Sequence, residues 1–227
     1  MPTFAERYKG PEDLPEELPV FPLRRAILLP RAVLPLNVFE PRYLQMLEDV
    51  MSGDRVLAIV QPSAATDEES PAGKAVALRA VGCVGRVTMY QEFDDGRLGI
   101  ALTGIARCSL LHEIATPVAY RIWRMGFDRF RGDFVAGEGE DDVDRQKLLG
   151  ALKAYLEARN QRADWGAISK SSSESLVNLL AIASPYGAEE KQALLEAPTL
   201  AARADALVAL AEMELAAGAG GSGSTLQ

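Results

Sequence analysis

The side chains that could do chemistry are few and scattered. The chain holds one histidine, His112, so any Ser-His-Asp or Cys-His mechanism would have to run through it. It follows the apolar run Ser109-Leu110-Leu111, where the ordinary reading is a strand-end histidine. Cys83 and Cys108 lack CxxC spacing and have no histidine nearby. They read as buried reduced thiols, because a tetrahedral zinc site needs three or four converging ligands. Gly73-Lys74 in "SPAGKAV" hints at a phosphate loop. Ala75, however, stands where a Mg²⁺-binding Ser or Thr is needed, and no glycine lies five residues before Gly73. The glycines of "GCVG", Gly82 and Gly85, sit inside a strand pattern instead of opening a helix, so they do not make a dinucleotide fingerprint. Ser169-Lys170 is an adjacent pair on a polar stretch, better suited to capping than to hydrolysis. The carboxylates of "DEES" and "EGEDDVD" lie in highly charged, solvated runs. No catalytic, cofactor-binding or metal-ligating residue is expected, and no cofactor.

Composition bounds the rest. In 227 residues, 32 acids against 24 Lys and Arg give a formal charge of −8, and 48% hydrophobic residues supply ample core. That balance argues against a sequence-independent grip on nucleic-acid phosphates. The N-terminus lacks an apolar signal core and no run of about 18 apolar residues occurs, so neither export nor a membrane partner is expected, and the cytoplasm is the default address.

The elements change character midway. "LPVFPLRRAILLP" and "AVLPLNVF" read as edge strands and turns cut by proline. "EPRYLQMLEDVMSGD" turns helical, with Glu40 in the N-cap region, Pro41 in the first turn and Gly53 at the end. "RVLAIVQP" is a buried strand, followed by the polar loop "SAATDEESPAGKA". Two β-rich runs then flank "DDGR", a hairpin turn, and "YRIWRMGF" suggests another strand. "RGDFVAGEGEDDVD" reads as a boundary. Beyond it Leu148, Leu149, Leu152, Tyr155 and Leu156 mark one helical face; Ser171 and Glu174 offer a capping box, "AEEKQALLEA" a short helix, and Thr199 a cap for the last one. The expected divisions are a flexible segment at 1–17, a β subdomain at 18–135, a helical bundle at 136–216 and a disordered tail at 217–227.

The stretch "PLNVFEPRY", Pro35 to Tyr43, is a strand-to-helix corner bracketed by two prolines. A structural role comes first. A binding role for Phe39, Arg42 and Tyr43 stays open beside it, because aromatics on a rigid corner suit apolar peptide segments.

The order of signatures carries a resemblance. An LPVFPL opening, the Pro-Leu turn into a helix, a V-G-x-x-G strand with its hairpin, and an L-x-G-x-x-R strand through Leu102, Gly104 and Arg107 resemble the N-terminal substrate-recognition domain of Lon proteases. The match runs over roughly Leu18 to Leu111 and is similar to stand-alone bacterial LON-domain proteins; the helices from Val143 to Leu215 resemble the helical half of the same proteins. The resemblance implies an α+β fold: a PUA-like β pseudo-barrel with one helix, then a helical bundle. It also implies a structural motif on Pro22, Pro35, Asn37, Glu40, Pro41, Gly82, Gly85, Gly104 and Arg107.

In full-length Lon this region recognises and tethers polypeptide, with an ATPase module and a Ser-Lys peptidase following. Neither a Walker A loop nor a peptidase domain is found in this sequence, so the expectation is a non-catalytic module, not an enzyme. Its expected partner is unfolded or partly folded polypeptide, with a protease or chaperone machine as a further partner in quality control. The alternative is a PUA-like RNA-binding module. Its one supporting feature is a basic-aromatic cluster: Arg97, Arg107, Arg121, Arg124, Arg129 and Arg131, interleaved with Tyr120, Trp123, Phe127 and Phe130.

Overall fold

Short β-branched runs closed by prolines and glycines build a sheet in the first half of the chain, and long 3.6-period runs build helices in the second. A computed structural model describes residues 7–63 and 76–220. The polar loop with Gly73-Lys74 and the last seven residues of the tail lie outside the described residues. The chain divides into two units, Met1–Ala136 with Pro185–Leu195, and Gly137–Ser184 with Glu196–Gln227.

The first unit carries strands β1 (Glu17–Pro22), β2 (Val33–Val38), β3 (Val56–Pro62), β4 (Leu78–Glu92), β5 (Leu98–Ile114) and β6 (Arg121–Gly126). They form one six-stranded sheet in the order β2-β5-β4-β3-β1-β6, with an additional β5–β6 pairing. The β1–β3 pair is parallel and the others antiparallel, so the sheet is mixed. The expected PUA-like pseudo-barrel is corrected to this mixed sheet. A closed barrel has no edge, whereas β2 pairs with β5 alone among the described residues. The 17 residues of β5 serve β2 with one half and β6 with the other, so the extra pairing links β6 back to β5 while β2 stays outside that circuit with its outer edge unpaired among the described residues.

Close backbone approach sets where glycines fall. A Cβ on Gly104 would stand 2.0 Å from the carbonyl oxygen of Leu29, and Gly104 in turn exchanges backbone hydrogen bonds with Arg31 and Ala32. Any larger residue would push the 29–32 segment off β5. Val20, Val56, Ala58, Val84, Ile105, Ala106 and Cys108 form the core of this unit, with Tyr8 and Leu14 also buried in it. Tyr8 and Leu14 lie in the segment expected to be flexible, where residues 11–13 make a 3-10 turn.

Helix α1 (Pro41–Ser52) buries Tyr43, Met46, Leu47 and Val50, the i, i+3, i+4, i+7 stripe of an amphipathic helix. Pro41 opens it where a missing N–H costs no bond.

Helix α5 (Ala188–Glu196), read from sequence as part of the helical half, has residues 188–195 in the sheet unit. Buried amides hold it: Gln61 Nε2 donates to the Ala188 carbonyl (3.0 Å) and Gln192 Oε1 (3.1 Å), while Gln192 Nε2 donates to the Val81 carbonyl (3.1 Å). Each bond satisfies a group that would otherwise be stranded away from water.

The second unit comprises α2 (Arg145–Ala158), α3 (Trp165–Lys170), α4 (Ser173–Ala183) and α6 (Leu200–Gly220). Asp144, Asp164 and Ser172 cap the first three by accepting from backbone N–H groups. Thr199 Oγ1 does the same for the Ala202 N–H of α6 (3.1 Å). The expected Ser171–Glu174 capping box is corrected by one residue to Ser172. Glu174 is drawn the other way, its carboxylate accepting from Gly137 N and its own N–H donating to Glu140 (2.8 Å). Arg145 ties α2 to the end of α3 through the carbonyls of Ile168 (2.8 Å) and Ser171 (2.7 Å).

Candidate functional site

The backbone of β2 decides what the corner shows to solvent. Gly104 N–H donates to the Ala32 carbonyl, and the register Leu34↔Leu102, Leu36↔Ile100, Val38↔Leu98 continues in steps of two. Even-numbered residues therefore turn their backbone polar groups to β5, and odd-numbered ones turn theirs to the open edge. Pro35 sits on the edge-facing series, where its missing N–H breaks no ladder bond. Side chains alternate too: Leu34 and Val38 are buried, while Val33, Pro35 and Asn37 are exposed.

The three candidate binding residues separate. Phe39, just past β2, is 67% exposed; Tyr43 is 6% exposed. Tyr43 packs on Phe21 with ring centroids 4.4 Å apart, and the Arg42 guanidinium lies 4.6 Å from its ring. Burial raises the Tyr43 phenol above its ordinary value, against the opposing pull of Arg42. Tyr43 thus holds the corner together. Arg42 stays at the surface, paired with Glu40 at 2.8 Å; this leaves Glu40 without a side-chain cap bond to α1.

The sheet beside the corner exposes apolar residues that the sequence reading missed. Register places Pro35, Ala101 and Met89 in one row across β2, β5 and β4, and Asn37, Gly99 and Gln91 in the next. The Phe93 ring lies over Gly99, where a Cβ would meet it at 2.9 Å. Val33 is 54% exposed, Met89 50% and Phe93 38%. The outer face of these three strands is therefore an exposed apolar strip, Val33, Pro35, Met89 and Phe93, with Thr88, Thr103 and Asn37 between them and one cation, Arg86, in the Val33–Thr103 row. Thr88 and Thr103 satisfy each other at 3.0 Å. Period-two alternation in "VLPLNVF" was the available signal for β2; in "VTMYQEF" a bulge between Val87 and Met89 breaks it.

The motif residues take structural places. Pro22 ends β1 opposite Val60, and a Cβ on Gly82 would meet the Ile59 carbonyl at 2.6 Å, one on Gly85 the Leu28 side chain at 2.5 Å. Arg107, 6% exposed, forms a fork on Asp133 (Nε 2.8 Å, Nη2 2.7 Å), donates to the Leu195 carbonyl, and lies 4.6 Å from the Phe130 ring. It is a bidentate internal tie.

The residues screened for catalysis do not converge. His112 is exposed on β5 opposite Arg124. Ser169 Oγ donates to the Gly166 carbonyl (3.0 Å). Burial pushes the Cys108 thiol up to about 12, the reverse of an activated nucleophile. Among the described residues no group of three or more His, Cys, Asp or Glu could hold a metal ion, and no helix is long and apolar enough to cross a membrane. The basic-aromatic cluster is neutralised from within. Arg97 pairs with Asp95, Arg107 with Asp133, Arg121 with Glu113, Arg124 with Glu16 and Arg131 with Asp128, and Arg129 lies 5.1 Å from the Phe130 ring. A stripe of cations aimed at phosphates is not what these arginines make.

Comparison with known proteins agrees with this architecture. Lon protease 2 of Myxococcus xanthus is 27% identical over 194 residues, covering 85% of this chain and 23% of its own. The chain spans between 11% and 25% of the length of the curated relatives it matches. Two solved structures share the fold. The N-terminal domain of Mycobacterium avium complex Lon protease aligns with a TM-score of 0.63 at 16% identity, over 86% of this chain and 98% of that one. A Lon N-terminal domain protein from Xanthomonas campestris aligns with a TM-score of 0.57 at 21% identity, over 85% and 97%. The family model described as the ATP-dependent protease La (LON) substrate-binding domain matches residues 17–212, and the chain belongs to that family.

Proposed function

We propose that this protein is a non-catalytic polypeptide-recognition module that captures apolar segments of unfolded or partly folded chains on the outer face of β2, β5 and β4. The observation that carries the reading is the set of exposed apolar side chains on this face and at its corner, Val33, Met89, Phe93 and Phe39. Such patches on soluble proteins mark interaction sites. The surface is pre-formed, since Pro35 and Pro41 fix the backbone on either side of Phe39, so little entropy is lost on binding. Membership of a substrate-binding family supports the same reading. Its use would be to present clients to a protease or chaperone machine.

The test is a titration of a fluorescent, permanently unfolded polypeptide, such as reduced carboxymethylated α-lactalbumin, with wild type and with a Phe39→Ser/Met89→Ser variant. The variant removes exposed groups only, so circular dichroism and Tm should be unchanged. Affinity should fall roughly tenfold, the effect of losing about 1.4 kcal/mol of anchor energy. Equal affinity in a folded variant overturns the assignment of this face.

A further inference from the structure

The apolar strip has one cation in its rows, Arg86 beside Thr103 at the Val33 end; the segments that lead to its hairpin end are acidic. Across residues 33–52 and 87–103 there are six acids, Glu40, Glu48, Asp49, Glu92, Asp94 and Asp95, and two bases, Arg42 and Arg97. Both bases are spent on neighbours: Arg42 on Glu40 at 2.8 Å and Arg97 on Asp95 at 2.7 Å. Four carboxylates remain. Asp49 and Glu92 accept only from phenols among the bonds seen, Tyr120 at 2.8 Å and Tyr90 at 3.3 Å, so neither has its charge cancelled. Tyr90 is the residue next to Met89, and its phenol is raised by burial, then by Glu92 and Glu48, so both carboxylates act electrostatically on a residue adjoining the strip. Asp94 follows Phe93 directly. At the other end of the strip, Arg31 donates to the Asp133 carbonyl (2.7 Å) and Arg86 to the Tyr8 hydroxyl (2.9 Å) and the Asp54 carbonyl (2.6 Å), so the excess of carboxylates belongs to the hairpin end alone.

Resting on the docking reading above, we infer that the preferred client is an apolar segment flanked by lysine or arginine, and that acid-flanked segments are disfavoured. An extended client lying across the strip places its flanking residues beyond the apolar rows, over the Glu92–Asp94 turn. The Debye length of about 10 Å at 0.1 M salt sets the reach of those carboxylates. Exposed charges act weakly one at a time, so the preference is a modest bias laid on apolar capture.

The experiment uses three fluorescein-labelled peptides sharing one Leu/Phe/Val core, flanked by Lys-Lys, Ser-Ser or Glu-Glu. At about 20 mM salt the Lys-flanked peptide should bind roughly five- to tenfold more tightly than the Glu-flanked one, falling below about twofold at 0.5 M. A Glu92→Gln/Asp94→Asn variant should shrink the low-salt difference while leaving the Ser-flanked peptide unaffected. If the Ser-flanked peptide binds and all three bind alike, the charge preference is wrong and the docking face stands. If no peptide binds, the docking reading fails and this inference with it. A Lys preference that survives in Phe39→Ser/Met89→Ser would trace to the overall charge of −8, and would also overturn the inference.

Discussion

A Cβ on Gly99 would stand 2.9 Å from Cε2 of Phe93 and 3.1 Å from its Cζ, so the absence of a side chain on β5 leaves room for the ring at the edge of the apolar strip. Gly99→Ala should lift that ring. The atoms in the way belong to the end of a rotatable side chain, not to backbone, so the stability cost should stay below about 1 kcal/mol. Client affinity should fall nonetheless. Thermal melts and the unfolded-polypeptide titration read the two effects separately; an unchanged affinity would remove Phe93 from the site.

Phe39 and Tyr43, four residues apart, should respond in opposite ways to the same truncation. Tyr43→Ala removes a ring that is 6% exposed and its packing against Phe21, for an expected loss of about 3 kcal/mol. Phe39→Ala removes a ring that is 67% exposed and should change stability by less than about 0.5 kcal/mol. Urea unfolding of both variants checks the contrast. Comparable losses would mean that Phe39 is structural too.

That contrast marks how far the sequence could be read. Period-two runs, the Asp-Gly turn and the helical stripe of α1 are local signals, and the strands and helices formed where those signals lay. The open edge at β2 was not legible, because closure depends on which strands find one another across more than 60 residues of chain. Tyr43 and Phe39 looked alike as aromatics beside prolines; only the entry angle of α1, set by Pro41, turns one inward. The Val33, Met89 and Phe93 face needed the β2–β5–β4 register, since alternation gives two faces without saying which is covered. Gln61 and Gln192, which hold α5 on the sheet, carry no local pattern at all. The arginine cluster looked like a basic stripe because pairing is not written in composition: Asp95, Glu113 and Asp128 lie close to Arg97, Arg121 and Arg131 in sequence, while Asp133 and Glu16 reach Arg107 and Arg124 from far away.

Pro35 should protect the edge of β2. Its backbone faces the open side, where it withholds a donor from the middle of a strand that could otherwise template pairing with another chain. Pro35→Val restores the donor and adds a β-favouring side chain. The variant should remain folded yet self-associate, seen as a concentration-dependent rise in mass by light scattering. A strictly unchanged mass distribution would show that the edge is protected by something other than proline.

Arg107 and Asp133 should behave as a buried tie. Their side chains are 7% and 10% exposed and meet at 2.7 Å, so Arg107→Ala leaves a carboxylate with its main partner gone. The expected cost is about 3–5 kcal/mol. Arg107→Lys retains charge but loses the two-pronged fit and the stacking on Phe130, and should recover only part of that loss. Urea midpoints for the two variants decide it, and full rescue by lysine would mean that charge alone matters.

Lys191 offers a pH signature of its own. It is 3% exposed, and burial lowers its ammonium from the ordinary 10.5 to about 8. Below pH 8 both folded and unfolded chains hold the proton, and the fold bears the whole cost of burying the charge, about 3 kcal/mol for that gap. Between about 8 and 10.5 the unfolded chain binds more protons than the folded one, so this group makes stability rise with pH. Lys191→Met keeps the aliphatic bulk and removes the charge. It should therefore raise stability at pH 7 by about 1–3 kcal/mol, with the advantage over wild type shrinking as pH climbs toward 10.5. Tyr90 and Tyr120 also titrate at high pH, so the quantity to plot is the wild-type minus variant difference in unfolding free energy. A variant that is less stable than wild type at pH 7 would show that hydrogen bonds to the ammonium outweigh its desolvation.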